Sequence, residues 1–132
     1  MNILCVDDDP SILESYRRTL GRRYNVYLAQ GPLQGVDKLQ LGPFYSAILC
    51  DKGMPLMDGI DFLDFARHLF PGSVRIMLTG MPDDPAIVNA VIEGKVQRLL
   101  GKPCPIKELE RVVEAAVAQA WERLEEPVAV AA

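Results

Sequence analysis

The chain has 132 residues, 49% apolar and 24% charged, with a net charge of −4. That composition suits one globular domain with a hydrophobic core and excludes a disordered chain. It carries no basic run of the kind that neutralises nucleic-acid phosphates, and no apolar stretch long enough to span a membrane.

Acidic residues follow the first apolar run at once, without a basic leader, so Ile3–Val6 reads as a first strand and not a signal peptide. Asp9 is placed to cap a helix whose first turn holds Pro10. Ile12, Leu13, Tyr16 and Leu20 recur at helical spacing up to Gly21. Tyr24–Ala29 reads as a second strand, and 31–41 as a helix weakened by Gly35 and stopped by Gly42-Pro43. Ala47–Cys50 is apolar without a break, the mark of a strand buried on both faces of a parallel sheet. After a loop from Asp51 to Gly59, a helical stripe runs through Ile60, Leu63, Ala66 and Leu69 or Phe70. Val74–Leu78 gives the fourth strand, Pro85–Ile92 the fourth helix, and Val96–Leu100 a short fifth strand. A long last helix starts at Pro105, with Leu109, Val113, Ala116 and Ala120 on one face. The small, apolar tail from Pro127 to Ala132 is expected to fray. The three scattered cysteines fit a reducing cytoplasm rather than disulfides, with Cys5 and Cys50 buried in apolar strands.

Strand and helix thus alternate five times, which predicts an α/β fold, a parallel sheet with helices on both faces. In the common doubly wound order 2-1-3-4-5, the first and third strands meet at the topological switch point, where ligands bind outside the strand C-termini. There the first strand offers Asp7 and Asp8, the third Asp51, the fourth Thr79 and the fifth Lys102. Three carboxylates that close repel one another, and a divalent cation relieves the repulsion. Oxygen ligands of this type suit Mg²⁺, which keeps waters and borrows phosphate oxygens. A carboxylate can also act as a nucleophile and form an acyl phosphate. Lys102 and the Thr79 hydroxyl would neutralise and bind the transferring group, with Gly80 leaving room and Gly53 letting the backbone approach the metal.

In these residues the chain resembles a response regulator receiver domain, from Ile3 to about Ala120. The resemblance rests on Asp7-Asp8, Asp51, Met54-Pro55 with Asp58-Gly59, Thr79, and Lys102-Pro103, in that order. It implies a flavodoxin-like (βα)5 domain over 1–120 that takes a phosphoryl group on Asp51 from a sensor histidine kinase or a histidine phosphotransfer protein. It further implies that Asp8, Asp51 and the Gly53 carbonyl bind Mg²⁺ directly, that Asp7 acts through water, and that the Lys102-Pro103 peptide is cis. The output surface would be the fourth helix, fifth strand and fifth helix, read by a downstream effector protein or domain. Such a chain is a signalling domain rather than an enzyme, although it carries its own phosphorylation and dephosphorylation chemistry.

Two departures stand out. Leu99 occupies the position, three before the lysine, where an aromatic switch residue is common. Gly53 and Met81 replace side chains that tune acyl-phosphate lifetime, so neither is expected to accelerate hydrolysis. Asp58 is read as a helix cap and His68 as an exposed residue late in its helix. Residues 121–132 extend the last helix, and Trp121 with Val117 and Leu124 forms a second stripe suited to a homodimer contact or to a connector toward an effector domain. Two competing functions stay open. One is a degenerate receiver acting as a phosphorylation-independent interaction module. The other is a haloacid-dehalogenase-like phosphatase with Asp7 as nucleophile.

Overall fold

The strands are β1 (Asn2–Asp7), β2 (Asn25–Gln30), β3 (Ala47–Asp51), β4 (Val74–Thr79) and β5 (Arg98–Gly101). The helices are α1 (Pro10–Leu20), α2 (Pro32–Leu41), α3 (Gly59–Leu69), α4 (Pro85–Ile92) and α5 (Ile106–Glu125). The computed structural model describes residues 1–125, so the expected fraying of the tail and the side chain of Leu124 lie outside what is described. Every pairing is parallel and the order is β2-β1-β3-β4-β5, the flavodoxin-like arrangement expected from the sequence.

The alternation of side chains along each strand divides the core in two. Ile3, Cys5, Ala47, Leu49, Val74, Ile76 and Leu78 pack with residues of α1 and α5. Leu4, Val6, Ile48, Cys50 and Met77 pack with residues of α2, α3 and α4. Burial on both faces explains why β1 and β3 read as unbroken apolar runs. The stripe expected in the last helix is the inward face of α5, with Leu109, Val113, Ala116 and Ala120 buried. Val117 packs against the same core, whereas Trp121 is 51% exposed.

Local signals act as the sequence suggests at the caps. Asp9 accepts the Ser11 amide at the start of α1, and Asp58 accepts those of Ile60 and Asp61 at the start of α3. Two expectations change. The fifth strand starts at Arg98, not Val96, because the Val96 amide is held by Ala90 at the end of α4. Gly35 does more than weaken α2: a Cβ there would stand 2.7 Å from Phe62 Cε2 and 3.3 Å from Val6 Cγ1. The glycine lets α2 lie close to the ring and the sheet.

Candidate functional site

β1 and β3 are neighbours, and their ends bring Asp7, Asp8 and Asp51 together. Each offers a carboxylate oxygen within 4.8 Å of the others. Asp7 and Asp51 are buried, while Asp8 is exposed at the mouth. Lys102, from the end of β5, reaches across so that Nζ donates to Asp51 Oδ1. The Lys102-Pro103 peptide is cis, as the resemblance implied. Thr79 is buried at the end of β4, and its hydroxyl accepts the Met81 amide at 3.0 Å. Gly53 lies exposed in the loop after Asp51. A Cβ at Gly53 or Gly80 would meet nothing within 4 Å, so neither position is crowded.

The electrostatics suit a cation. Burial raises the Asp7 carboxyl to about 6, against the lowering effect of the Asp9 amide and with a further push from Asp51. One Asp7 oxygen accepts that amide at 2.9 Å. The other, Oδ2, is buried with no hydrogen-bond partner. Such an orphan is costly in a folded protein and commonly marks a water or an ion. The three carboxylates therefore fit a divalent metal by donor type, proximity and unmet demand.

Sequence reasoning missed how the loop between β3 and α3 is held. Lys52 Nζ pairs with Asp58 Oδ2 at 2.9 Å, and the Gly59 amide bonds the Lys52 carbonyl at 2.9 Å. Burial would raise the Asp58 carboxyl, but Lys52 and the Ile60 and Asp61 amides outweigh it and hold it low. Within the loop, Leu56 has a φ of 72°, and the Met57 amide bonds the Pro55 carbonyl, a tight three-residue turn. No periodicity signals these contacts, because they depend on how the loop closes. Leu99 is half-buried against the α2–α4 side of the core, His68 is exposed, and Cys5 and Cys50 are buried.

The response regulator receiver domain profile matches residues 3–114. The chain belongs to the response regulator receiver family. It is 34% identical over 115 residues to the hydrogenase transcriptional regulatory protein HoxA of Bradyrhizobium diazoefficiens, covering 87% of this chain and 24% of that protein. It is 31% identical over 116 residues to the DNA-binding transcriptional regulator NtrC of Proteus hauseri, covering 88% and 24%. The chain thus spans about a quarter of the length of the curated relatives it matches. Among solved structures, it resembles a receiver domain protein (CheY-like) from Methanospirillum hungatei, with TM-score 0.85, 27% identity and coverage of 92% and 97%. It also resembles a chain described as an adenylate cyclase from Rhodopirellula baltica, with TM-score 0.87, 32% identity and coverage of 96% and 98%. Receiver domains are signalling domains. None of the described helices in this one is long and apolar enough to cross a membrane.

Proposed function

We propose that this receiver accepts a phosphoryl group on Asp51 from a phosphohistidine on a sensor kinase or phosphotransfer protein, in a Mg²⁺-dependent reaction. The supporting observation is the Lys102 ammonium on Asp51 beside two further carboxylates, one with a buried, unpartnered oxygen. In the transfer, an Asp51 oxygen attacks phosphorus as the bond to the imidazole nitrogen breaks. The electron pair of that bond leaves with the ring. Asp7, Asp8, Asp51 and the Gly53 carbonyl would hold Mg²⁺, which would neutralise charge on the phosphoryl oxygens. Lys102 meets the remaining negative charge. The Thr79 hydroxyl can turn from the Met81 amide toward a phosphoryl oxygen.

The consequence would be a shifted two-state equilibrium at a protein-binding surface. α4 is the best candidate for that surface. Besides its buried face it turns Val88, Val91 and Ile92 to solvent, with Ile92 77% exposed. Exposed apolar side chains grouped this way mark a contact site. An effector domain, a partner protein or a second copy of the chain could cover it, and the length of the curated relatives fits the first.

Incubation with acetyl phosphate and Mg²⁺ tests this. The expected result is a mass increase of one phosphoryl group, absent without Mg²⁺ and absent in Asp51→Asn. No adduct, with no Mg²⁺ binding, would leave the phosphorylation-independent module, the reading that Leu99 favours. Steady release of phosphate that requires Asp7 but not Asp51 would support the phosphatase reading, which family membership does not.

A further inference from the structure

We infer that Arg75 is a positioning residue that pins the C-terminal end of α4, so that phosphorylation moves this helix by swinging its N-terminal end. The second half of this inference rests on the proposed phosphorylation of Asp51; the first half does not. Arg75 lies early in β4, two and four residues before Met77 and Thr79, on the side of the sheet that carries α4. It is 3% exposed, and among the described residues no carboxylate takes its charge. Its guanidinium bonds backbone carbonyls instead: Nε to Lys95 at 3.0 Å, Nη2 to Gly94 at 2.9 Å and Nη1 to Ser73 at 3.2 Å. Arg67, from α3, adds a bond from Nη1 to the Glu93 carbonyl at 2.9 Å.

α4 ends at Ile92, and Glu93, Gly94 and Lys95 form the turn that follows it. Gly94, at φ 79°, breaks the helix, and the Lys95 and Val96 amides fold back onto the Ala90 carbonyl. The last carbonyls of a helix carry partial negative charge and lack partners within it. In α4 the Asn89, Ala90 and Val91 carbonyls are taken by the amides of Glu93, Lys95 and Gly94, and the two guanidiniums hold the carbonyls of the turn just beyond, on Glu93, Gly94 and Lys95. Burying a charge without a counter-ion is expensive, and Arg75 shows it: burial, then the charges of Arg67 and Arg123, lower it to about 10. A buried cation that ties two carbonyls of this turn, those of Gly94 and Lys95, to the Ser73 carbonyl beside the start of β4 makes this end of the helix hard to displace.

The other end is built differently. It follows Thr79 through an exposed loop, Gly80 to Asp83, that hangs on the Thr79 hydroxyl by the Met81 amide. A side-chain rotation that carries the Thr79 oxygen away toward a phosphoryl group breaks the bond and frees the loop. Leu99 has no aromatic ring to reorient and relay the change, so the loop is the direct route to α4.

Amide hydrogen exchange, with and without beryllofluoride and Mg²⁺, tests both halves. In wild type, exchange should change several-fold at 80–88 and stay constant at 93–97. In Arg75→Met without ligand, exchange at 93–97 should rise about tenfold relative to wild type. Arg75→Lys, which keeps the charge but loses the fork of donors, should fall between. Wild-type exchange at 93–97 in Arg75→Met, or a ligand response in wild type as large at 93–97 as at 80–88, overturns the inference. If Arg75→Met does not fold, Arg67→Ala must raise exchange at 93–97 by a smaller factor, and an unchanged rate there counts equally against the anchor. Failure of the phosphorylation reading appears separately, as a wild-type protein that takes no mass adduct from acetyl phosphate; the unliganded comparison still decides the anchor.

Discussion

Asp7 combines burial with two acidic neighbours, and its carboxyl lies at about 6. A value raised above the ordinary carboxylate range means that the folded state favours the protonated form. The associated stability is complete below that ordinary range and is lost as pH rises through about 6. Without metal, Asp7→Asn should therefore be more stable than wild type at pH 8, by about 1–3 kcal/mol. The gap should narrow at pH 5, where the folded protein largely holds the proton. Urea denaturation at the two pH values measures it. Mg²⁺ should reverse the order at pH 8, because it relieves the charge in wild type and has one carboxylate fewer in the variant. Asp7, Asp51, Thr79 and Lys102 were legible because strand ends interrupted by polar residues are conspicuous in a chain of apolar runs. Arg75 was not, since a charged residue inside a strand carries no mark of the helix end it will meet. Lys52 gave no sign either, because its partner lies across a loop whose closure depends on the fold.

Helices here are fixed as much by what they touch as by their own pattern. The period of apolar residues in α1, α3 and α5 was readable because each buries one stripe on the sheet. α2 was readable in extent but not in reason. Its Gly35 lies against Phe62 and Val6. Gly35→Ala, normally a gain within a helix, should here cost about 1–3 kcal/mol by forcing the ring aside, seen as a lower urea midpoint. A gain would mean that the ring yields freely. Asp58 joins two jobs, capping α3 and pairing with Lys52. Asp58→Ala should cost about 1–2 kcal/mol, whereas Lys52→Ala should cost under ~1 kcal/mol, because a half-exposed ion pair contributes little. β5 was misplaced by two residues because Val96 is apolar enough for a strand, yet its amide belongs to the end of α4.

Taken whole, the molecule keeps its order in the sheet and its acidic cluster at one edge of it, and the alternation of strands and helices made that arrangement legible from the chain alone. What the pattern could not supply is the partner. Trp121 is half-exposed near the end of α5, and its truncation to alanine should change stability by less than ~0.5 kcal/mol. If sedimentation shows a dimer with beryllofluoride that Trp121→Ala dissociates, the second stripe of α5 is an interface; a monomer throughout removes that role. The distribution of thiols has a practical consequence. Burial lifts Cys5 to about 12 and Cys50 well above its ordinary value, while Cys104 is half-exposed two residues from Lys102. A thiol reagent should reach Cys104 first, giving the protein a native point for a fluorophore or spin label beside Lys102. Cys5 and Cys50 react only when the sheet itself opens. Their labelling rate is a clock for global unfolding, readable by mass spectrometry in the same sample.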